Sequence, residues 1–331
     1  MAGLHRGRLA ALLVLAMGMA VVGCGGPMES PPTVAAELLD CGPKMGALGY
    51  PEGLGIGKGG ELLVADTWND RILRAGPDCD VVGGFGESGT EPGKLECPRS
   101  LWTDRVGNIY VVDNWNHRVQ KFDAQGKFLL TFGSQGGPWG YDEADGKFSH
   151  AYGVAADSTG YIYVSDFNNN RLQMFDPRGK FVMKWGTAGR QDGQFSHPAG
   201  LAMDSQDRLY VADLGNNRIQ RFVIAPAVVD GKDTFEAKFA GKWGKPGQKP
   251  GEFSGPYDVC VDKDENVYVA DFWNHRVQKF TPAGECLWEF GEHGTGEGEF
   301  ECPVSVAVGE DGSVYVSDWG NNRVQKLVPT S

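Results

Sequence analysis

Positive charge is scarce in this chain. Its 331 residues carry 31 Lys and Arg against 43 Asp and Glu, a net charge of −12, and phosphate binding needs a basic face, so nucleic acid is not an expected partner. The sequence has no glycine-rich phosphate loop of the Walker type, no G-x-S-x-G elbow and no C-x-x-C pair. Three common signatures of nucleotide, acyl-transfer and thiol or zinc chemistry are thereby missing. Long apolar runs are also lacking: the stretch 9–22 has fourteen residues, short for a membrane span. What the chain has in abundance is glycine, 49 residues, most of them spread from position 42 onward, which points to many regularly placed turns and so to an all-β repeat.

The first 23 residues stand apart. His5, Arg6 and Arg8 make a basic start, an apolar stretch follows, and "VVGC" ends at Cys24, the pattern of an export signal. The "VVGC" ending resembles a bacterial lipobox, which implies that Cys24 is acylated and becomes the first mature residue. An ordinary secretory signal cut after Ala20 is the other reading. Gly25, in place of Asp, is similar to outer-membrane sorting, and residues 24–34 read as a flexible tether. Losing residues 1–23 removes two arginines and no acid, taking the net charge from −12 to −14. Six cysteines remain besides Cys24, namely Cys41, Cys79, Cys97, Cys260, Cys286 and Cys302. Export permits disulfides, but spacing leaves their pairing open, and buried free thiols are an equal alternative.

The segment "DNWNHRVQKF" at 113–122 returns as "DFWNHRVQKF" at 271–280. The pattern Asp-x-x-Asn-x-Arg occurs six times, opening at Asp66, Asp113, Asp166, Asp213, Asp271 and Asp318, with spacings of 47, 53, 47, 58 and 47. A repeat of this length built from short, β-branched and aromatic runs such as "SLWTD", "NIYVVD", "RVQKFD" and "KFLLTFG" predicts a propeller blade of four strands. The last copy supplies three strands before Ser331, so "AAELLDC" at 35–41 is expected to provide the fourth and close the ring. These residues resemble the NHL-repeat family. The preceding "YV-x-D", the following "VQKF" and the recurrent "FG" carry the likeness, while "LLVAD" with "RILRAG" in blade one and "WG" behind an insertion in blade four depart from it. The resemblance covers residues 35–331 and implies an all-β, six-bladed propeller of four-stranded antiparallel blades.

Six copies of one polar trio are read as turn stabilisers, since Asp and Asn bond nearby backbone and Arg pairs with carboxylate. Function is expected where the copies differ. After each aspartate comes at least one large apolar residue, and Trp68, Trp115, Phe167, Phe272, Trp273 and Trp319 are the candidate partner anchors, joined by Trp139 and Tyr141 in the insertion 136–147. Packing over the neighbouring blade is the structural alternative for each. A second candidate set follows the residue that opens each blade: Glu52, Arg99, Tyr152 and Tyr257, with Ala199 and Val304 at the two remaining positions, would point into one mouth of the central channel.

The peptidyl-hydroxyglycine amidating lyases, which the chain distantly resembles, place zinc-binding histidines just after the proline that opens a blade; none of the six corresponding positions here is histidine. His117, His150, His197, His275 and His293 lie elsewhere in the repeat and are read mainly as structural. A similarity to lactonases would imply oxygen donors around calcium, to which Glu52 and Asp258 contribute. No catalytic residue and no cofactor are expected, with zinc or calcium kept for the alternative. The resulting reading is an exported, monomeric propeller, lipid-anchored to the bacterial envelope, that binds a protein, peptide or glycan. The alternative is a metal-dependent lyase or lactonase acting in the channel.

Overall fold

The computed structural model describes residues 36–136, 144–229 and 231–329. Six four-stranded antiparallel sheets follow one another in chain order. Their innermost strands, Pro51–Ile56, Pro98–Thr103, Ala151–Ala156, Pro198–Met203, Pro256–Val261 and Pro303–Val308, each neighbour the equivalent strands before and after, the sixth returning to the first. Five of the six begin with proline, which is tolerated at a strand's first residue because no ladder donor is needed there. Each also carries a bulge in its first residues, as between Pro51 and Leu54 or Pro98 and Leu101, which bends the strand as the chain enters the blade.

The second strands, Leu62–Asp66, Ile109–Asp113, Ile162–Asp166, Val267–Asp271 and Val314–Asp318, are buried along their whole length. Neighbouring blades cover both faces, which is why these segments read as continuous apolar runs without alternation. Six apolar clusters result, each shared by two adjacent blades. Tyr110, Val112 and Phe132 of blade two pack with Val154, Val164 and Phe175 of blade three, and Leu54, Val64 and Leu73 of blade one pack with Ala307, Tyr315 and Val324 of blade six. Every fully buried Phe or Leu contributes about 1.5–3 kcal/mol, so the ring is held mainly by these interfaces.

The recurrent "FG" has a packing cause. Gly133 at the end of blade two has φ +84°, and a Cβ there would lie 2.2 Å from the buried ring of Phe148; Gly244 of blade four, φ +97°, faces Phe253 in the same way at 2.5 Å. A side chain at either position would meet both a left-handed backbone and an occupied site.

Ala36–Asp40 forms the outer strand of blade six, pairing antiparallel with the last strand so that Leu38 faces Leu327 and Asp40 faces Gln325. Cys41, directly after it, is disulfide-bonded to Cys79 in blade one, which settles a pairing that spacing left open; Cys97, Cys260, Cys286 and Cys302 are free thiols. The short helix Gly42–Met45 spans the gap, and among the described residues no helix is long and apolar enough to cross a membrane. The extra residues of blade four extend its third and fourth strands, Arg218–Val229 and Lys232–Trp243, into a hairpin of 12-residue strands. The insertion after blade two is bracketed by a two-residue parallel ladder of Ser134–Gln135 with Lys147–Phe148.

The disulfide closes a span of 38 residues, for which loop-closure entropy gives about 4 kcal/mol. Replacing Cys41 and Cys79 together by Ser is therefore expected to lower unfolding free energy by about 2–4 kcal/mol in denaturant titration; a change below about 0.5 kcal/mol would show that strand pairing alone holds the ring shut.

Candidate functional site

Two kinds of loop share one face of the ring: the turns between second and third strands and the crossings from one blade to the next. The repeated polar residues bind these to each other. In blade four, the Asp213 carboxylate accepts the Ser196 N–H at 2.7 Å, Asn216 Nδ2 at 2.9 Å, Arg218 Nε at 2.7 Å and Gln220 Nε2 at 3.0 Å. Arg218 also donates to the crossing carbonyls of Arg190, Gln191 and Gln194, and Gln220 to that of Gln194 while accepting the Gly193 N–H. In all six copies Asp accepts Arg Nε at 2.7–2.9 Å. Burial pushes Asp113, Asp166, Asp213 and Asp271 upward, and the ring of donors opposes it. A carboxylate receiving four donors has little acceptor capacity left for a substrate, so the trio is structural. The glutamine is its fourth member, visible beforehand as the Q of "VQKF"; blade one has Leu73 there.

A second latch comes from the residue just before each arginine. Asp70, His117, Asn170, Asn217, His275 and Asn322 all lie in the left-handed region, φ 51–55°, where short polar side chains are enriched. Five accept an N–H at the neighbouring blade's entrance: Asp70 from Cys97, Asn170 from His197, Asn217 from Gly255, Asn322 from Tyr50 and His275 Nδ1 from Cys302. The remaining ring, His117, lies edge-on to His150 with centroids 5.6 Å apart. His275 likewise neighbours His293 at 4.5 Å, and His197 neighbours Phe167 at 4.9 Å. The five histidines thus fall in three places, two neighbouring pairs and His197 apart, and among the described residues no group of three His, Cys, Asp or Glu side chains is placed to hold a metal ion.

The channel-mouth residues do converge. Arg99 Nε and the Tyr152 hydroxyl each lie 3.5 Å from Glu52 Oε2, the Arg99 guanidinium sits over the Tyr152 ring at 5.2 Å, and Tyr152 meets Tyr257 edge-on at 5.2 Å. Burial pushes the Glu52 carboxyl up against the opposing pull of Arg99 and Tyr152, and it raises both tyrosines. Burial also works against the Arg99 cation, but Glu52 beside it holds the guanidinium above its ordinary range. Deeper in the channel wall, burial lifts Asp258 to about 6 although Ser305 Oγ donates to it at 2.6 Å.

Aromatic side chains continue outward from this cluster as an unbroken arc. Tyr257 stacks on Phe272 at 4.9 Å, Phe272 approaches Trp273 at 4.5 Å and Trp319 at 6.5 Å, Trp319 touches Tyr50 at 5.4 Å, and Tyr50 touches Trp68 at 5.0 Å; on the other side Tyr152 meets Phe167 at 5.4 Å. Trp68, Trp115 and Trp273 are 45%, 55% and 48% exposed, whereas Phe272 is 5% exposed and forms wall under the rim. Phe167 and Trp319 are half-buried. Tyr50 was not among the sequence candidates, because its role depends on a left-handed backbone, φ 51°, that no local pattern announces. Cys24, Trp139 and Tyr141 lie outside the described residues.

Five stretches, 95–122, 148–175, 195–222, 253–280 and 300–327, match the family described as NHL repeat. The chain is an NHL-repeat protein. Blade one, with Leu73 for Gln and "RILRAG" for "VQKF", is the blade outside those stretches. Short segments of this NHL propeller resemble much longer animal proteins: it is 46% identical over 55 residues to the E3 ubiquitin-protein ligase TRIM71 of Bos taurus, 17% of this chain and 6% of that protein's length, and 38% identical over 56 residues to Protein lin-41 of Caenorhabditis elegans, 17% and 4%. Among solved structures the propeller is similar to a gluconolactonase from Xanthomonas campestris (TM-score 0.64, 14% identity, covering 93% of this chain and 99% of that one) and to streptogramin B lyase (TM-score 0.58, 15% identity, 88% and 97%). At such identities the likeness shows the fold alone.

Burial holds His117, His150, His197 and His275 below the ordinary value of 6.5, and His275 needs an unprotonated Nδ1 to accept the Cys302 N–H. Their native state favours neutral imidazole, so the stability they contribute is complete above about pH 6.5 and is lost as pH falls below it. The melting temperature is expected to drop from about pH 7 to about pH 5, and His275→Asn, which installs the residue used by blades three, four and six, should lessen the drop. An identical slope in the variant would remove His275 from the account.

Proposed function

We propose that this NHL propeller is an exported, lipid-anchored binding module whose loop face recognises a protein, peptide or glycan at the cell envelope. The observation that carries this reading is the continuous aromatic arc from Trp68 to Phe167, set on a rigid ring above the half-buried Arg99 and its buried partner Glu52. Rigid aromatics bury much area for little side-chain entropy, and their backbone is anchored by the clamps beneath them. The Cys41–Cys79 disulfide supports an oxidising compartment, and the basic, apolar, "VVGC" order of residues 5–24 supports acylation of Cys24.

The convergence of Glu52, Arg99, Tyr152 and Tyr257 favours a second reading, a small-substrate enzyme working in the channel mouth like the lyases and lactonases that share the fold. The donor set does not fit the calcium or zinc of that reading: Glu52 is engaged by Arg99 and Tyr152, Asp258 by Ser305, and among the described residues no group of three ligands forms around either.

Glycan and peptide arrays followed by calorimetric titration test the binding role. Trp68→Ala and Trp273→Ala should each weaken a captured ligand by about tenfold or more, while Val106→Ala on the opposite face should leave affinity unchanged. Equal affinity in all three variants would sink the aromatic-face assignment, and turnover of a lactone that depends on Glu52 would favour the enzyme. Anchoring is read separately: metabolic labelling with radioactive palmitate should mark the wild-type chain and vanish in Cys24→Ala, and an unlabelled wild type would mean plain secretion.

A further inference from the structure

Five of the six blades end in a five-residue outer strand, Val81–Phe85, Phe128–Phe132, Phe181–Trp185, Cys286–Phe290 and Ala36–Asp40. The outer strand of blade four, Lys232–Trp243, has 12 residues and runs past the ring, and among the described residues no strand lies beyond it. A long open edge offers unpaired N–H and C=O groups to another strand. From Lys232 to Phe239 it pairs with its inner neighbour without interruption, the bulge coming only between Phe239 and Gly241, so this part of the edge is regular.

Side chains alternate along it. Phe235 and Ala237 face blade three, where Phe235 lies 5.0 Å from Tyr161, and Phe239 on the same side is 39% exposed. Glu236 and Lys238 project from the other side as an exposed pair 3.7 Å apart. Two copies of an antiparallel edge that meet about a two-fold axis bring one residue opposite itself and the residues flanking it opposite each other in exchange. A register centred on Glu236 or on Lys238 sets like charges face to face. Centred on Ala237, it puts the smallest side chain on the axis, Glu236 opposite the second copy's Lys238 twice, and Phe235 opposite the second copy's Phe239 twice. Opposite charges and aromatic pairs across strands are the stabilising combinations.

We infer that this edge is a self-association surface, joining two copies of the chain through antiparallel pairing of Phe235–Phe239 about Ala237, in place of the monomer expected from the sequence. The pairing uses the face-independent rim of the ring, so it leaves the aromatic mouth open and places two mouths on one assembly. An interface of one strand per copy is small, and the dimer is weak and concentration-dependent.

Sedimentation velocity of the purified full chain from about 1 to about 200 µM tests it. The wild type should pass from monomer to dimer over this range. Glu236→Lys and Lys238→Glu should each weaken the dimer by about tenfold or more, and the double reversal, which restores opposite charges across the axis, should recover it to within about threefold. Ala237→Cys should yield a disulfide-linked dimer on mild oxidation, while Val106→Cys and the wild type should not. Circular dichroism melts of each variant separate loss of pairing from loss of fold. A monomeric wild type throughout, or a dimer indifferent to both single reversals, overturns the inference.

Discussion

A buried carboxylate tying each blade's turn to the loop that arrives from the previous blade is the interaction on which this ring depends. Strand ladders hold each blade together internally, and apolar clusters press neighbouring blades together, but neither sets how the loops lie over the face. Asp213 and its five counterparts do, by collecting donors from Asn, Arg and a crossing N–H on one group, with Gln adding another in five blades. The cost of burying these aspartates is met by that full set of partners; stripping one partner would leave an uncompensated buried charge. In five blades the left-handed Asn, Asp or His before the arginine extends the same logic sideways to the next blade.

That rigidity is what makes the aromatic mouth a usable surface. Trp68 and Trp273 stand on three-residue turns with clamped ends, so little conformational freedom remains to be lost on binding. Phe272 and Tyr257 stack beneath the rim, and the Arg99 and Glu52 pair beneath Tyr152 supplies polarity in an otherwise apolar setting. The face therefore combines broad, sequence-tolerant apolar contact with a single charged focus, a division suited to recognition.

Departures from the repeat mark where the molecule is individual. Blade one lacks the clamp glutamine and gains a disulfide from its neighbour's closing strand, exchanging a polar latch for a covalent one at the seam where the ring must close. Blade four spends its insertion on an extended hairpin. Periodicity located both insertions by their 53- and 58-residue spacings, but it placed neither in space.

The sequence by itself determined the blade count, the four-strand unit, the closing role of residues 35–41 and the structural nature of the Asp-x-x-Asn-x-Arg trio, because all of these are local patterns repeated at a constant period. It also named Glu52, Arg99, Tyr152 and Tyr257 as neighbours, since equivalent positions on equivalent strands must meet at one end of a closed ring. Tertiary structure alone decided that Phe272 is wall while Trp68 and Trp273 are surface, that Tyr50 joins the arc, and that Cys41 bonds Cys79. Those outcomes depend on the approach of different blades and on positive-φ backbone at their seams, and no local window of sequence contains both sides of a seam.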